Sequence, residues 1–416
     1  AAFLCHHKVG TAVLARWLKM EFTSHTSAEI FLDSDDLVHL DTLFETVAFN
    51  TRNLVVLMSR QLLERIWCAG EITTALEYKV NMVRVAYDDY SEPSDAFIEG
   101  LDGLWAEDQK TNLGRLGISI EQIQKAYRGF RQKESIRWDR GVPWERQVDH
   151  VQEVIRKCTG MVFAHVTASA KSTSAWCFSG SKRPAKPRRL VTRDQLFAQS
   201  TLMIVGEHAE PENLCLCVIV QSRLQQELEL STGLADFHPC ANTEQMAKAR
   251  CIVPLLTKGV LGNADWAKVV ADAIHNGLLA IPVVADPSFA FPGPGFWAEL
   301  EAGTGPVATT LAERGLDVKA VGEAYQILFS CIAAHITPHG SESGLRLEIA
   351  DIARRYRSTV HGHQQSARER RQSLTSAQSQ LSCQSQGSAQ RLLTAAQQPL
   401  EEAGNSLGGD TEIYSV

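Results

Sequence analysis

Three absences set the first limits on this chain. No stretch approaches the roughly 18 consecutive apolar residues that a membrane helix needs, and no secretory signal pattern opens it. The ten cysteines never fall at CxxC spacing. No zinc-ligand spacing is therefore legible, no metal is expected, and reduced thiols in a cytosolic setting are the simplest reading. No P-loop and no GxGxxG fingerprint occurs either. Nor is there a surplus of positive charge. Lys and Arg number 41 against 48 Asp and Glu, the net charge is −7, and the two signs are mixed along the chain. That balance does not suit a nucleic-acid binder. What is present is 416 residues, 44% of them hydrophobic, enough for proper cores and for roughly two to four domains. The first residues, Ala1-Ala2-Phe3-Leu4-Cys5, lack a methionine and read as the inside of a strand, as expected of a fragment of a longer protein.

The chain says nearly the same thing twice. Arg52-Asn53-Leu54-Val55-Val56-Leu57-Met58-Ser59, followed by Trp67-Cys68-Ala69-Gly70-Glu71, is answered by Arg250-Cys251-Ile252-Val253-Pro254-Leu255-Leu256-Thr257, followed by Trp266-Ala267-Lys268-Val269-Val270. Gly117 with Ala126-Tyr127 is answered by Gly315 with Ala324-Tyr325, and the offset is 315 − 117 = 198 in each case. Two copies at this period mean tandem domains, because solenoid repeats run at roughly 20–50 residues. The second copy keeps the apolar skeleton and carries Val270 where the first carries Glu71. A group that the scaffold can lose suggests chemistry more than folding.

Short apolar runs at Ala2–Cys5, Glu29–Leu32, Leu54–Met58 and Met82–Ala86 predict buried strands. Helical periodicity at Val9–Phe22, Leu40–Asn50 and Arg65–Tyr78 separates them, and Ser119–Phe130, Trp144–Lys157 and a last strand at Ser135–Trp138 follow. This β-α-β order predicts an α/β fold, a parallel sheet with helices on both faces. The first domain is expected over 1–158. Residues 159–200, with the basic run Lys182–Arg189, read as a solvated linker. A second domain is expected over 201–358, with strands at Leu202–Val205, Cys251–Leu256 and Leu279–Val284 and a shortened segment between Phe237 and Arg250. Residues 359–416 are Gln/Ser-rich with few large apolar side chains, and predict a disordered tail.

Several boxes of the first copy together resemble a known family. Phe3-Leu4-Cys5-His6-His7, Ile30-Phe31-Leu32-Asp33, the Arg52–Ser59 run, Trp67-Cys68-Ala69-Gly70-Glu71-Ile72 and the strand at Val83 are similar in order and spacing to the successive boxes of a TIR (Toll/interleukin-1 receptor homology) domain. The match covers residues 1–90 well and is looser to 158. The resemblance implies a flavodoxin-like doubly wound parallel sheet in two tandem copies, the second degenerate. Ligands of such sheets lie beyond the carboxyl ends of the strands, at the point where strand order reverses.

Some members of that family cleave NAD between nicotinamide and ribose, using a Glu four residues after the Trp. Glu71 stands at that position, so the resemblance implies a catalytic carboxylate there, with NAD as substrate and no cofactor. One carboxylate suffices for this reaction. Nicotinamide leaves as a neutral base and needs no acid, unlike the leaving oxygen of an ordinary glycoside. The remaining task is electrostatic stabilisation of an oxocarbenium-like transition state. His6, His7, Lys8, Asp33, Ser59 and Trp67 are the candidate substrate-binding residues, since each follows a strand or begins the next helix. Each also has a plainer reading: loop solvation for the histidines, packing for Trp67 as for Trp266, and for Glu71 a helix first-turn acid interacting with the dipole. The family also implies docking between TIR domains. The alternative function is accordingly a non-enzymatic adaptor acting through such contacts, in which Glu71 would be a surface acid. The loop Asp33–Asp41, which often mediates these contacts, here has Leu40-Asp41 where many members have Gly-Asp. Val270 marks the second copy as inactive.

Overall fold

The computed structural model describes residues 1–36, 42–140, 144–163, 202–230, 232–235, 246 and 249–359. The expected linker beyond residue 163, the tail beyond 359, and Leu40-Asp41 lie outside the described residues. The described residues up to 357 belong to one compact unit, and it contains two sheets whose pairings are all parallel.

In the first sheet the strands are β1 (Ala2–Cys5), β2 (Ile30–Phe31), β3 (Asn53–Met58), β4 (Asn81–Tyr87) and β5 (Ser135–Trp138), ordered β2-β1-β3-β4-β5. Phe3 lies opposite Phe31 on one side and Leu54 on the other. The order therefore reverses between β1 and β3. Every residue of β1 and β3 is buried, as expected of strands covered on both faces, and the apolar runs Ala2–Cys5 and Leu54–Met58 follow from that. The second sheet repeats the plan with β6 (Leu202–Val205), β7 (Thr232–Leu234), β8 (Cys251–Leu256), β9 (Leu279–Ala280), β10 (Val283–Val284) and β11 (Ala334–His335). Its order is β11-β10-β8-β6-β7, with β9 also on β8. The single strand expected at Leu279–Val284 is thus two short ones. Ile281 still donates to Ile252, but Pro282 has no N–H to continue the ladder. Both halves are doubly wound α/β units.

The helices that place the site are α1 (Lys8–His25) and α2 (Ile66–Glu77). The expected helix at Leu40–Asn50 is described only as a short turn at Leu43–Glu45 running into a π-helical turn at Thr46–Asn50. The repeated tyrosine explains itself structurally. Tyr127, on α3 (Ile120–Phe130), donates to the Leu63 carbonyl at 2.8 Å, and Tyr325, on the Val318–Ser330 helix, donates to the Leu261 carbonyl at 2.9 Å. Each pins the loop that follows the third strand of its own sheet.

The two halves meet through α1 and α4 (Pro211–Leu228). Val9 and Gly10 break the helical geometry at the start of α1, Gly10 with φ near +89°, so the first regular turn begins after them. Its unpaired N–H groups are met from the other half: Glu212 accepts from Val13 at 3.0 Å and Leu14 at 3.3 Å. One turn on, the buried Arg16 donates to the Pro338 carbonyl at 2.7 Å and to the Gly340 carbonyl, and pairs with Asp35 at 2.6 Å and Glu342 at 3.1 Å. Glu342, which opens the helix over 342–359, returns its own N–H to Asp35 at 2.8 Å and also pairs with Arg223. No described helix is long and apolar enough to cross a membrane.

Candidate active site at the β1/β3 reversal

A cavity of about 150 Å³ opens where the strand order reverses. Its wall brings together His6, Lys8, Asp33, Trp67 and Glu71 with Arg65 and Cys68. His6 and Lys8 follow β1 directly, Asp33 follows β2, and the last four belong to the entry and first turns of α2. Local sequence explains the arrangement: each strand ends on a polar residue just past its apolar run, so side chains of unlike sequence position converge on one rim.

Glu71 is only 5% exposed. It lies in the second turn of α2, whose first turn holds no acid. The reading of Glu71 as a solvated first-turn dipole partner is therefore replaced by that of a buried carboxyl. Burial pushes it up to about 8, Asp33 adds to the rise, and the Cys5 thiol and the Arg65 guanidinium oppose it. Its Oε2 atom has no hydrogen-bond partner among the described residues. A buried polar atom left unpaired costs roughly 1–3 kcal/mol, a cost the fold carries here for no visible packing reason.

Around Glu71 the charges are graded. Lys8 reaches Asp33 at 3.4 Å and His6 Nε2 stands 3.9 Å from the same carboxylate. His6 Nδ1 lies 3.2 Å from the Leu4 carbonyl, which can only accept, so the proton is on Nδ1. Burial lowers the pKa of His6, against the pull of Asp33. His7 and Ser59, expected at the site, do not line the cavity. The His7 ring turns back to the Val9 carbonyl at 3.0 Å, and Ser59 is buried in the turn after β3. Successive residues at a strand end point to opposite sides, so only one histidine of the pair can face the cavity. Arg65 and the two thiols were not singled out from sequence. Arg65 directly precedes α2 and had no motif to mark it, and Cys5 and Cys68 lie far apart in the chain.

The paired tryptophans differ. Trp266 is fully buried, donates to the Val205 carbonyl at 3.2 Å, and lies 5.9 Å from the Tyr325 ring. Trp67 is half-buried against Phe44 at 6.1 Å and forms a cavity wall. Gly70 permits this packing: a Cβ there would come within 2.3 Å of the Phe44 ring. In the second half the indole thus fills its own core, beside Val205, Ala267 and Val270, all of them fully buried.

No family model matches this chain, and no curated protein matches it. Among solved structures, the C-terminal domain of glucosamine-fructose-6-phosphate aminotransferase from Francisella tularensis is similar at 10% identity, covering 79% of this chain and 84% of that one, with a TM-score of 0.19. A likeness at that score carries no argument about either fold or function.

Proposed function

We propose that the first half is a TIR-type NAD glycohydrolase with Glu71 as its essential carboxylate. The observation that carries this reading is the placement of Glu71: buried, with one oxygen unpaired, in the wall of a cavity at the strand reversal. The strand order is also that of flavodoxin-like sheets, whose ligands sit at this switch point. A surface acid on a docking face, which the adaptor reading needs, would be solvated.

The cavity is smaller than the roughly 300–1,000 Å³ of a drug-sized pocket. Its size suits the nicotinamide ring, with the ribose at the mouth and Trp67 offering an aromatic face. Lys8 and Arg65 at the rim suit the diphosphate. In the reaction the C1′–N1 bond breaks and its electrons go to the pyridinium nitrogen. The ribose gains oxocarbenium character, which the Glu71 carboxylate stabilises, and water adds at C1′ and loses a proton to solvent. Only the ionised carboxyl can do this, so kcat/KM rises with pH and levels off above about 8. The test is nicotinamide release from NAD by the purified full chain across pH 6 to 9, with Glu71→Ala as control. Turnover with an acid limb near pH 8, abolished in the variant, is expected. No nicotinamide at any pH and at high protein concentration would sink the proposal.

A further inference from the structure

Behind the cavity wall, three potential ligands from two distant parts of the chain converge. Cys5 ends β1, Cys68 and Glu71 lie on α2, and one donor atom from each falls within 4.8 Å of the other two. All three are buried, and Cys68 and Glu71 also line the cavity. The Oε2 atom of Glu71 has no hydrogen-bond partner among the described residues.

The second half supplies an independent observation. The strand registers place Cys5 opposite Val56 and Val205 opposite Pro254, so Cys5 corresponds to Val205. Counting from the shared tryptophan, Cys68 corresponds to Ala267 and Glu71 to Val270. In the second half all three potential ligands are replaced together by apolar side chains, and the same core positions stay fully buried. The fold requires no sulfur and no carboxylate at these places. Two segments far apart in sequence, the end of β1 and the start of α2, keep or lose their ligating residues together.

We propose that Cys5, Cys68 and Glu71 form a binding site for a thiophilic divalent cation of the zinc class, with its fourth position open to the cavity. Two thiolates and one carboxylate suit such an ion and not magnesium or calcium. Sulfurs at ~2.3 Å from a tetrahedral ion stand roughly 3.8 Å apart, so closing the site asks for movements of about an ångström. Binding releases the thiol protons and any carboxyl proton to solvent. The bound set, two thiolates and a carboxylate on a dication, carries one net negative charge, which Arg65 and Lys8 face across the cavity.

The test uses Co2+ as the probe, added to the chelator-treated full chain under a thiol-free reductant and without oxygen. One equivalent is expected to give a thiolate-to-cobalt charge-transfer band with tetrahedral visible bands, displaced by zinc. The combined variant Cys5→Val, Cys68→Ala, Glu71→Val copies the second half and is expected to fold and to lose the band. Loss of an outer-shell partner alone costs roughly 10–100-fold in affinity, so Cys68→Ser, losing a ligand, is expected to weaken Co2+ binding by more than about 100-fold. This variant serves if the triple one fails to fold. Cys331→Ser, at an exposed thiol, is expected to leave the band intact. No band in the wild type, or a full band in the triple variant or in Cys68→Ser, would overturn the proposal. The readout is binding, so it stands or falls separately from NAD turnover.

Discussion

Replacing Glu71 with Gln keeps the shape of the side chain and removes its titration. In the folded chain burial raises the carboxyl from its ordinary 4.5 to about 8. The folded state therefore holds this proton over a pH range in which the unfolded state has lost it. The stability linked to the proton is full below pH 4.5 and is lost as pH rises to 8. The gap of about 3.5 in pH, at ~1.4 kcal/mol each, sets a loss of ~5 kcal/mol, of which about 3 kcal/mol is gone by pH 7. Glu71→Gln has no such slope. Urea unfolding followed by tryptophan fluorescence, at pH 5, 7 and 9 with a chelator present, reads the difference directly. The variant is expected to gain on the wild type by several kcal/mol between pH 5 and 9, while NAD turnover is lost. If the two stability curves run parallel across that range, Glu71 is not the buried, proton-holding carboxyl described, and both its burial and its role fail together.

Arg16→Met removes a cation that is 1% exposed and joins Asp35 and Glu342. Breaking a buried charge network costs roughly 3–5 kcal/mol, and because Lys19 remains 3.0 Å from Asp35, the lower end is expected in a calorimetric melt. Gly70→Ala drives Phe44, and with it Trp67, out of place. A cost of about 1–3 kcal/mol is expected, with a changed Trp67 emission spectrum, and an unchanged spectrum would count against the close approach. The tryptophan pair is expected to split: Trp266→Ala costs roughly 3–5 kcal/mol as a core deletion and Trp67→Ala less than half of that, since it already faces a cavity. Equal denaturant midpoints would refute the distinction.

The parallel sheets were legible because β1, β3, β6 and β8 are short, mostly apolar runs, which is how strands covered on both faces must look. The break at Ile281-Pro282 was not read: the proline marks it, but the run around it is apolar enough to hide it. Glu71 could be found by its contrast with Val270. Its burial could not, because a 3.6-residue period does not say which face of α2 meets the ends of β1. The thiol pair was hidden for a similar reason: Cys5 and Cys68 lie on separate elements and meet only once β1 is laid beside β3. Arg16 escaped notice because a lone arginine in a helix ordinarily belongs at the surface. What buries it is the second half, and nothing local to α1 announces that.

Glu212 and Arg16 carry one more consequence. They close a contact between two similar folds that elsewhere would be separate molecules meeting by diffusion. Here both are on one chain, so the effective concentration of one for the other is set by the intervening sequence and not by the amount of protein in solution. Dilution does not separate them, and every half bearing Glu71 is matched by one bearing Val270. The ratio of the two is written into the chain and cannot drift with expression.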